Sequence, residues 1–239
     1  MTMTPRENYL LEAMTVDERR RLAGHLETVA LEPRQVLAFR DAPIEYVYFP
    51  VDAVTSTLVE LEDGTTIEVG LMGAEGMTGL SLLFDREKSN TTVVVQIPGT
   101  ARRIAAEPFV AEVVRPGGPF YRELLRYADM FMQLVALIGA CNAVHGVKER
   151  CARWILLVQD RTGRPSFPLT HEFLSLMLGV RRASVTAAAA ELRTSGAIDY
   201  TRGSLTVLDR ERLRAASCPC YETITATIGT LYTAVDRPA

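Results

Sequence analysis

The sequence predicts an α+β protein in three parts: a β-rich first half, one long helix, and a compact C-terminal unit of two helices and a hairpin. Three observations predict it. Between Tyr46 and Ile97, short apolar runs alternate between glycine turns, as half-buried antiparallel strands do. From Phe120 to Cys141 the apolar residues step by four and three, a heptad pattern. From Thr170 to Leu208, helical spacing stops at Gly179, resumes, and gives way to two short alternating runs. The boundaries fall at residues 1–118, 119–145 and 146–239.

Composition narrows the class. Apolar residues make up 48% and charged residues 23%, the balance of a soluble globular chain. No unbroken apolar run reaches the roughly 18 residues of a bilayer span, so no membrane partner is expected. The opening M-T-M-T-P-R-E-N has no basic-then-apolar signal pattern, which places the protein in the cytoplasm. The net charge of −3 hides an asymmetry. Residues 145–216 hold 12 Lys+Arg against 7 Asp+Glu, or +5, leaving 14 against 22, or −8, elsewhere. The basic excess marks the C-terminal unit as the part suited to phosphates. Four cysteines do not make a disulfide framework in a chain of this size. Cys141 and Cys151 read as core residues. Cys218-Pro-Cys220 supplies two of the four ligands a structural zinc ion wants, so no metal is expected and the role of that pair is open.

In chain order, Thr15 and Glu18 form a capping box that opens a short helix to about Leu26. Tyr46–Phe49, Ala53–Leu61, Thr65–Gly70 and Thr91–Ile97 are strand candidates, with a hairpin at Glu62-Asp63-Gly64-Thr65. Many short strands with frequent glycine turns predict a sandwich or small barrel. Arg102–Val114 reads as a strand end and a short helix, before Arg115-Pro116-Gly117-Gly118 breaks the chain. Pro119 then suits the first position of the long helix. Its seam is Phe120, Leu124, Tyr127, Phe131, Leu134, Ile138 and Cys141; beside it run Tyr121, Leu125, Ala128, Met132 and Val135. A helix apolar on two faces has to bury both: one on its own β domain and the other on a second copy, or else both inside a monomer as a core helix; the seam is assigned to the dimer. Gly146 is a hinge, and Lys148–Asp160 a helix packing Val147, Cys151, Trp154, Ile155 and Val158. His145 and His171 read as surface or packing residues. Asp209–Ala216 and Ile224–Tyr232 are further helices.

The C-terminal unit is the most specific. Thr170 N-caps a helix that buries Phe173, Leu174, Met177 and Leu178. Gly179 suits a left-handed turn, and a second helix from Arg182 to Thr194 buries Val185, Ala188, Ala189 and Leu192. Small Ser175 four residues before the glycine and apolar Val185 six after it fit two helices crossing steeply. That is a helix-turn-helix, whose second helix enters the DNA major groove. Ala197–Tyr200 and Leu205–Leu208 flank Thr201-Arg202-Gly203-Ser204 as a basic-tipped wing. A sensory or scaffold protein whose winged helix grips protein instead of DNA is the alternative. Enzyme signatures are missing: there is no nucleophile elbow, phosphate-cradling loop or H-E-x-x-H pair.

On V-R-R-A-S-V-T in the second helix and C-P-C-Y after the wing, the chain resembles the CRP/FNR (cyclic-AMP receptor protein / fumarate-nitrate regulator) family of bacterial transcription regulators. The resemblance implies a jelly-roll, cyclic-nucleotide-binding-like sensor carrying E-D-G-T-T-I-E-V-G-L-M-G and A-E-G-M-T-G-L-S-L-L-F. It implies an effector pocket around Gly79, Leu80, Lys88 and Ser89. Members that bind cyclic AMP place a Glu where Leu80 stands and an Arg-Ser pair near Lys88-Ser89. With neither here, cyclic AMP is not expected, the effector is unknown and no cofactor is identified. Glu75 or Lys88 are left to face another small ligand. The family's iron–sulfur members carry N-terminal cysteines, and none precedes Cys141. The resemblance further implies a homodimer on a palindromic operator, with RNA polymerase as a partner. Carried over by position, Thr170 meets phosphate, Arg182 a guanine, Arg181 a guanine or phosphate, Ser184 and Thr186 a phosphate or a base edge, and Arg202 at the wing tip the backbone. Ala183 and Ala187 replace a Glu and an Arg of the best-known members, so the operator differs from theirs.

Overall fold

The computed structural model describes residues 7–201 and 203–235. Two short helices, α1 (Tyr9–Glu12) and α2 (Val16–Leu22), precede seven strands: β1 (Glu27–Leu31), β2 (Val36–Ala38), β3 (Tyr46–Pro50), β4 (Val54–Glu60), β5 (Thr66–Met72), β6 (Thr92–Ile97) and β7 (Gly99–Ala105). All pair antiparallel, in sheets ordered β1-β7-β3 and β2-β6-β4-β5. Val47, Phe49, Val54, Ile97 and Ile104 are buried in one common core, the alternation a two-sheet jelly roll requires. Asn8 ties the N-terminus down. Its Nδ2 donates to Pro50 O (2.9 Å) and Gly76 O (2.8 Å), and its Oδ1 accepts from Leu10 N (3.0 Å). The capping box at Thr15 and Glu18 is present, and Glu18 Oε1 also accepts from Phe120 N at 2.9 Å, serving a second helix end.

After the short α3 (Ala106–Phe109), α4 runs from Pro119 to Val144. By length and composition alone it could cross a bilayer, but it instead lies along the sandwich. Phe120 sits 6.4 Å from the Phe49 ring. A Cβ on Gly70 would stand 2.5 Å from Phe131, and one on Gly76 2.5 Å from Tyr127 Oη, so bare backbone in β5 and in the turn after it is what admits the helix. This corrects the dimer assignment. Phe120, Leu124, Tyr127, Leu134, Ile138 and Cys141 are buried within the chain, and Phe131 is half-buried against it. Periodicity shows that a face is covered; what covers it lay in strands about fifty residues earlier and, around Cys141, in Cys218 and Cys220 far downstream. The outward face carries Met132, 58% exposed, with Ala136, Gly139, Ala140, Ala143 and Val144.

Beyond Gly146, α5 (Val147–Thr162) leads into β8 (Ser166–Pro168), α6 (His171–Leu178), α7 (Arg182–Thr194), β9 (Ile198–Thr201), β10 (Ser204–Val207), α8 (Arg210–Ala215) and α9 (Cys220–Val235). The wing is a three-stranded antiparallel sheet, β8-β10-β9; β8 was too short to announce itself. Helix α5 joins this unit to the sandwich through buried polar contacts. Trp154 Nε1 donates to Glu68 Oε1 at 3.0 Å. Arg161 pairs with Glu75 at 2.6 Å, both side chains 6% exposed. Glu75 is therefore a structural partner and not a ligand group.

Candidate nucleic-acid interface and sensor cavity

Thr170 Oγ1 accepts from Phe173 N at 3.1 Å and so caps α6. The helix stops at Gly179, whose φ of 61° is left-handed, while Val180 N donates back to Ser175 O at 3.0 Å. The chain turns through 108° into α7, within the range for helix-turn-helix units. Val185, Ala188, Ala189 and Leu192 face inward, leaving Arg181, Arg182, Ala183, Thr186 and Ala187 exposed.

Charge count and usable charge differ here. Lys148, Arg161, Arg164, Arg193, Arg210, Arg212 and Arg214 are held in ion pairs, and Arg150 and Arg153 are buried. Among the described residues of this unit, Arg181 and Arg182 are the exposed cations outside any ion pair. Both stand at the N-terminal end of α7, where backbone N–H groups already favour phosphate.

The other expected contacts fall around them. Ser184 is half-buried. Thr186 is exposed, but its hydroxyl donates to Arg182 O (3.1 Å) and meets His171 Nδ1 (3.1 Å), so it has less to offer a base than position alone implied. His171 stacks edge-on against Tyr200 at 4.6 Å; burial and then the Arg182 charge lower its pKa, favouring neutral imidazole as the packing group between α6, α7 and the wing. Arg202 lies outside the described residues. Its neighbour Gly203 has φ 81° and accepts at its carbonyl from Leu169 N at 2.8 Å, which sets Gly203 beside the Thr170 cap.

This reading head rests on the sensor. Gly179 touches Ile67 of β5, where an added Cβ would stand 3.0 Å away. The Arg34 guanidinium lies 5.8 Å over the Phe173 ring. A groove of about 700 Å³ between the units is bordered by the Gly64–Thr66 turn and by Arg181.

A second cavity, about 460 Å³, opens between β4, β5, β6 and α4. Gly79, Leu80 and Ser89 line it, whereas Lys88 does not; Lys88 is exposed in an extended stretch bridged to Pro43, where neighbouring side chains alternate in direction. Arg86 and Asn90 line it instead. Arg86 escaped the sequence because it sits three residues before Ser89 and not beside it. The α4 side contributes Phe131, Met132, Val135 and Ala136, so the wall is mostly apolar with one guanidinium.

Residues 149–216 match the family model of the Crp-like helix-turn-helix domain. No curated protein matches the chain. Among solved structures, a chain from Eubacterium rectale assigned to the CRP/FNR transcriptional regulators superposes with TM-score 0.67 at 17% identity, over 88% of this chain and 99% of that one. FixK2 from Bradyrhizobium japonicum gives 0.65 at 17%, covering 81% and 98%. A CRP/FNR-family transcriptional regulator from Thermus thermophilus gives 0.65 at 20%, covering 80% and 98%. At these identities the superpositions speak for the fold.

Proposed function

The chain carries a Crp-like helix-turn-helix domain within the CRP/FNR fold, the build of a DNA-binding transcription regulator, and from that premise we propose a homodimer that reads a palindromic operator under control of a signal at the sandwich. The observation that carries the DNA contact is the Arg181–Arg182 pair, exposed and free of ion pairs at the start of α7. Arg182 reads a guanine in bidentate fashion; Arg181, Thr170 and Arg202 fix the register on phosphates. One such helix reads only a few base pairs, so the site needs two, about 34 Å apart on one DNA face.

The outward stripe of α4, with Met132, Ala136, Gly139 and Ala143, is the dimer face in this reading, replacing the buried seam. Met132 and Ala136 also line the sensor cavity. An occupant there touches the dimer helix directly, which couples signal to the spacing of the two reading heads. The cavity chemistry favours an apolar molecule carrying one anionic or polar group for Arg86. Bound at a promoter in the cytoplasm, such a dimer sits within reach of RNA polymerase.

The test is fluorescence anisotropy of the full chain on promoter fragments from its own genome, as a function of salt. Selective binding with a steep salt slope supports the reading. A monomer that ignores these fragments at low ionic strength returns the winged helix to a protein-binding role.

A further inference from the structure

At the foot of α4 the chain gathers three of its four cysteines and one of its three histidines. The ligand atoms of Cys141, His145, Cys218 and Cys220 all lie within 4.8 Å of one another. Cys141 Sγ is 3.5 Å from Cys218 Sγ, and Cys220 Sγ is 3.6 Å from His145 Nδ1. A tetrahedral zinc ion with Zn–S near 2.3 Å and Zn–N near 2.0 Å has ligand–ligand edges of roughly 3.5–3.8 Å. We infer that these four side chains form a tetrahedral site for one thiophilic divalent cation, zinc by preference.

Local structure explains the convergence. Cys141 and His145 are four apart at the helix end, where His145 N still donates to Cys141 O at 3.0 Å, so both project from one side. Cys218-Pro-Cys220 delivers two sulfurs at the entry to α9. All three cysteines are buried, and buried thiols by themselves can be plain packing groups. A half-buried imidazole nitrogen aimed among them is not what packing requires.

The surrounding charge makes the second, independent case. Arg150 and Arg153 of α5 are 6% and 3% exposed, and the Nε of each is buried with no acceptor among the described residues. The Arg153 charge acts on all three sulfurs, and that of Arg150 on Cys141 and Cys218. Glu68 also faces Arg153 without closing an ion pair among the described residues. Two buried guanidiniums call for negative charge nearby, which sulfurs deprotonated by a bound cation would supply. Three thiolates around a dication carry a net −1. Binding releases the three thiol protons to water and leaves oxidation states unchanged.

The consequence is a staple. It pins the last turn of the long helix to α9 one residue before Gly146, fixing the point where the sensor half hands over to the reading head. This does not depend on DNA binding.

The experiment uses tag-free full-length chain, purified under reducing conditions from zinc-supplemented cells and dialysed without chelator. Plasma mass spectrometry should find one zinc per chain. Cobalt(II) titrated into the stripped protein should give the d–d and thiolate charge-transfer bands of a tetrahedral site with three sulfur ligands and one nitrogen, saturating at one equivalent. Cys220→Ser and His145→Ala should lose metal or bind it far more weakly, while Cys151→Ala, outside the cluster, should retain it. Should a variant fail to fold, the cobalt titration of the parent chain decides alone. Metal-free protein with no tetrahedral cobalt spectrum overturns the inference. So does a Cys141–Cys218 disulfide that forms in place of metal binding, or a cobalt spectrum unchanged in Cys220→Ser.

Discussion

Glu68 gives the sharpest quantitative prediction, because the sole tryptophan reports on it. Its carboxyl is buried between β4, β5 and α5, where Ser56 Oγ donates to Oε2 at 2.5 Å and Trp154 Nε1 to Oε1 at 3.0 Å. Burial raises its pKa from 4.5 to about 7, against the opposing pull of Ser56, Arg153, Trp154 and Arg161. The folded state thus holds the proton more tightly than the unfolded chain. Stability is unaffected below about pH 4.5, falls as pH rises towards 7, and above that carries the full cost of a buried carboxylate. With about 1.4 kcal/mol per unit, that cost is about 3 kcal/mol.

Glu68→Gln removes the charge and keeps the network. The amide oxygen still accepts from Trp154, and the amide nitrogen donates to Ser56, whose hydroxyl turns to Gln96 Oε1, now 3.3 Å away. The variant should match the parent at pH 4.5 and exceed it at pH 8, with Tm higher by roughly 6–12 °C for a chain of this length. Trp154 emission should titrate near pH 7 in the parent and stay flat in the variant. If both proteins lose stability along the same curve, or if Trp154 does not titrate, desolvation of Glu68 is not the controlling quantity.

Four further outcomes follow from the same geometry. Arg161→Ala leaves Glu75 buried without its cation and should cost about 3–5 kcal/mol, read by chemical denaturation. In the proposed dimer, Met132→Glu should give a folded monomer by sedimentation velocity, whereas Leu134→Ala should lower stability by about 2–5 kcal/mol without changing the stoichiometry. Arg182→Ala should erase discrimination at one base pair per half-site, worth about 1–3 kcal/mol, while Arg202→Ala should weaken all sequences alike and flatten the salt slope; an unchanged footprint in the former refutes its role. Cyclic AMP should leave Tm unmoved, and a large stabilisation would show that Arg86 holds its phosphate despite Leu80.

The helix-turn-helix was legible because its signals are local: a cap at Thr170, a left-handed glycine at 179 and an apolar wedge at Val185 all lie within one short stretch. The hairpin at Gly64 and the first residue of α4 were legible for the same reason. Strands β1, β2 and β7 were missed in whole or part since their burial comes from sheet neighbours and not from their own alternation, as the largely exposed Glu27–Ala30 shows.

What stayed hidden is whatever depends on which surfaces meet. The heptad on α4 and the pair Cys218-Pro-Cys220 are two cases of one problem. A periodic stripe states that a partner exists, and an unfinished ligand set states that more ligands are needed; neither names the partner. In both cases the answer came from the same helix. Its seam turned inward to the sandwich, and that rotation set Cys141 at the inner side of the last turn, within reach of the C-terminal cysteines, Cys218 being 77 residues on. The face left outward is then poor in large side chains, with Ala136, Gly139, Ala140 and Ala143 in succession. Two such helices can approach closely, since small residues at an interface let backbones near each other. A bulky substitution such as Gly139→Leu should therefore disrupt pairing as effectively as a charge at Met132, a result a dimer built on the buried seam would not produce.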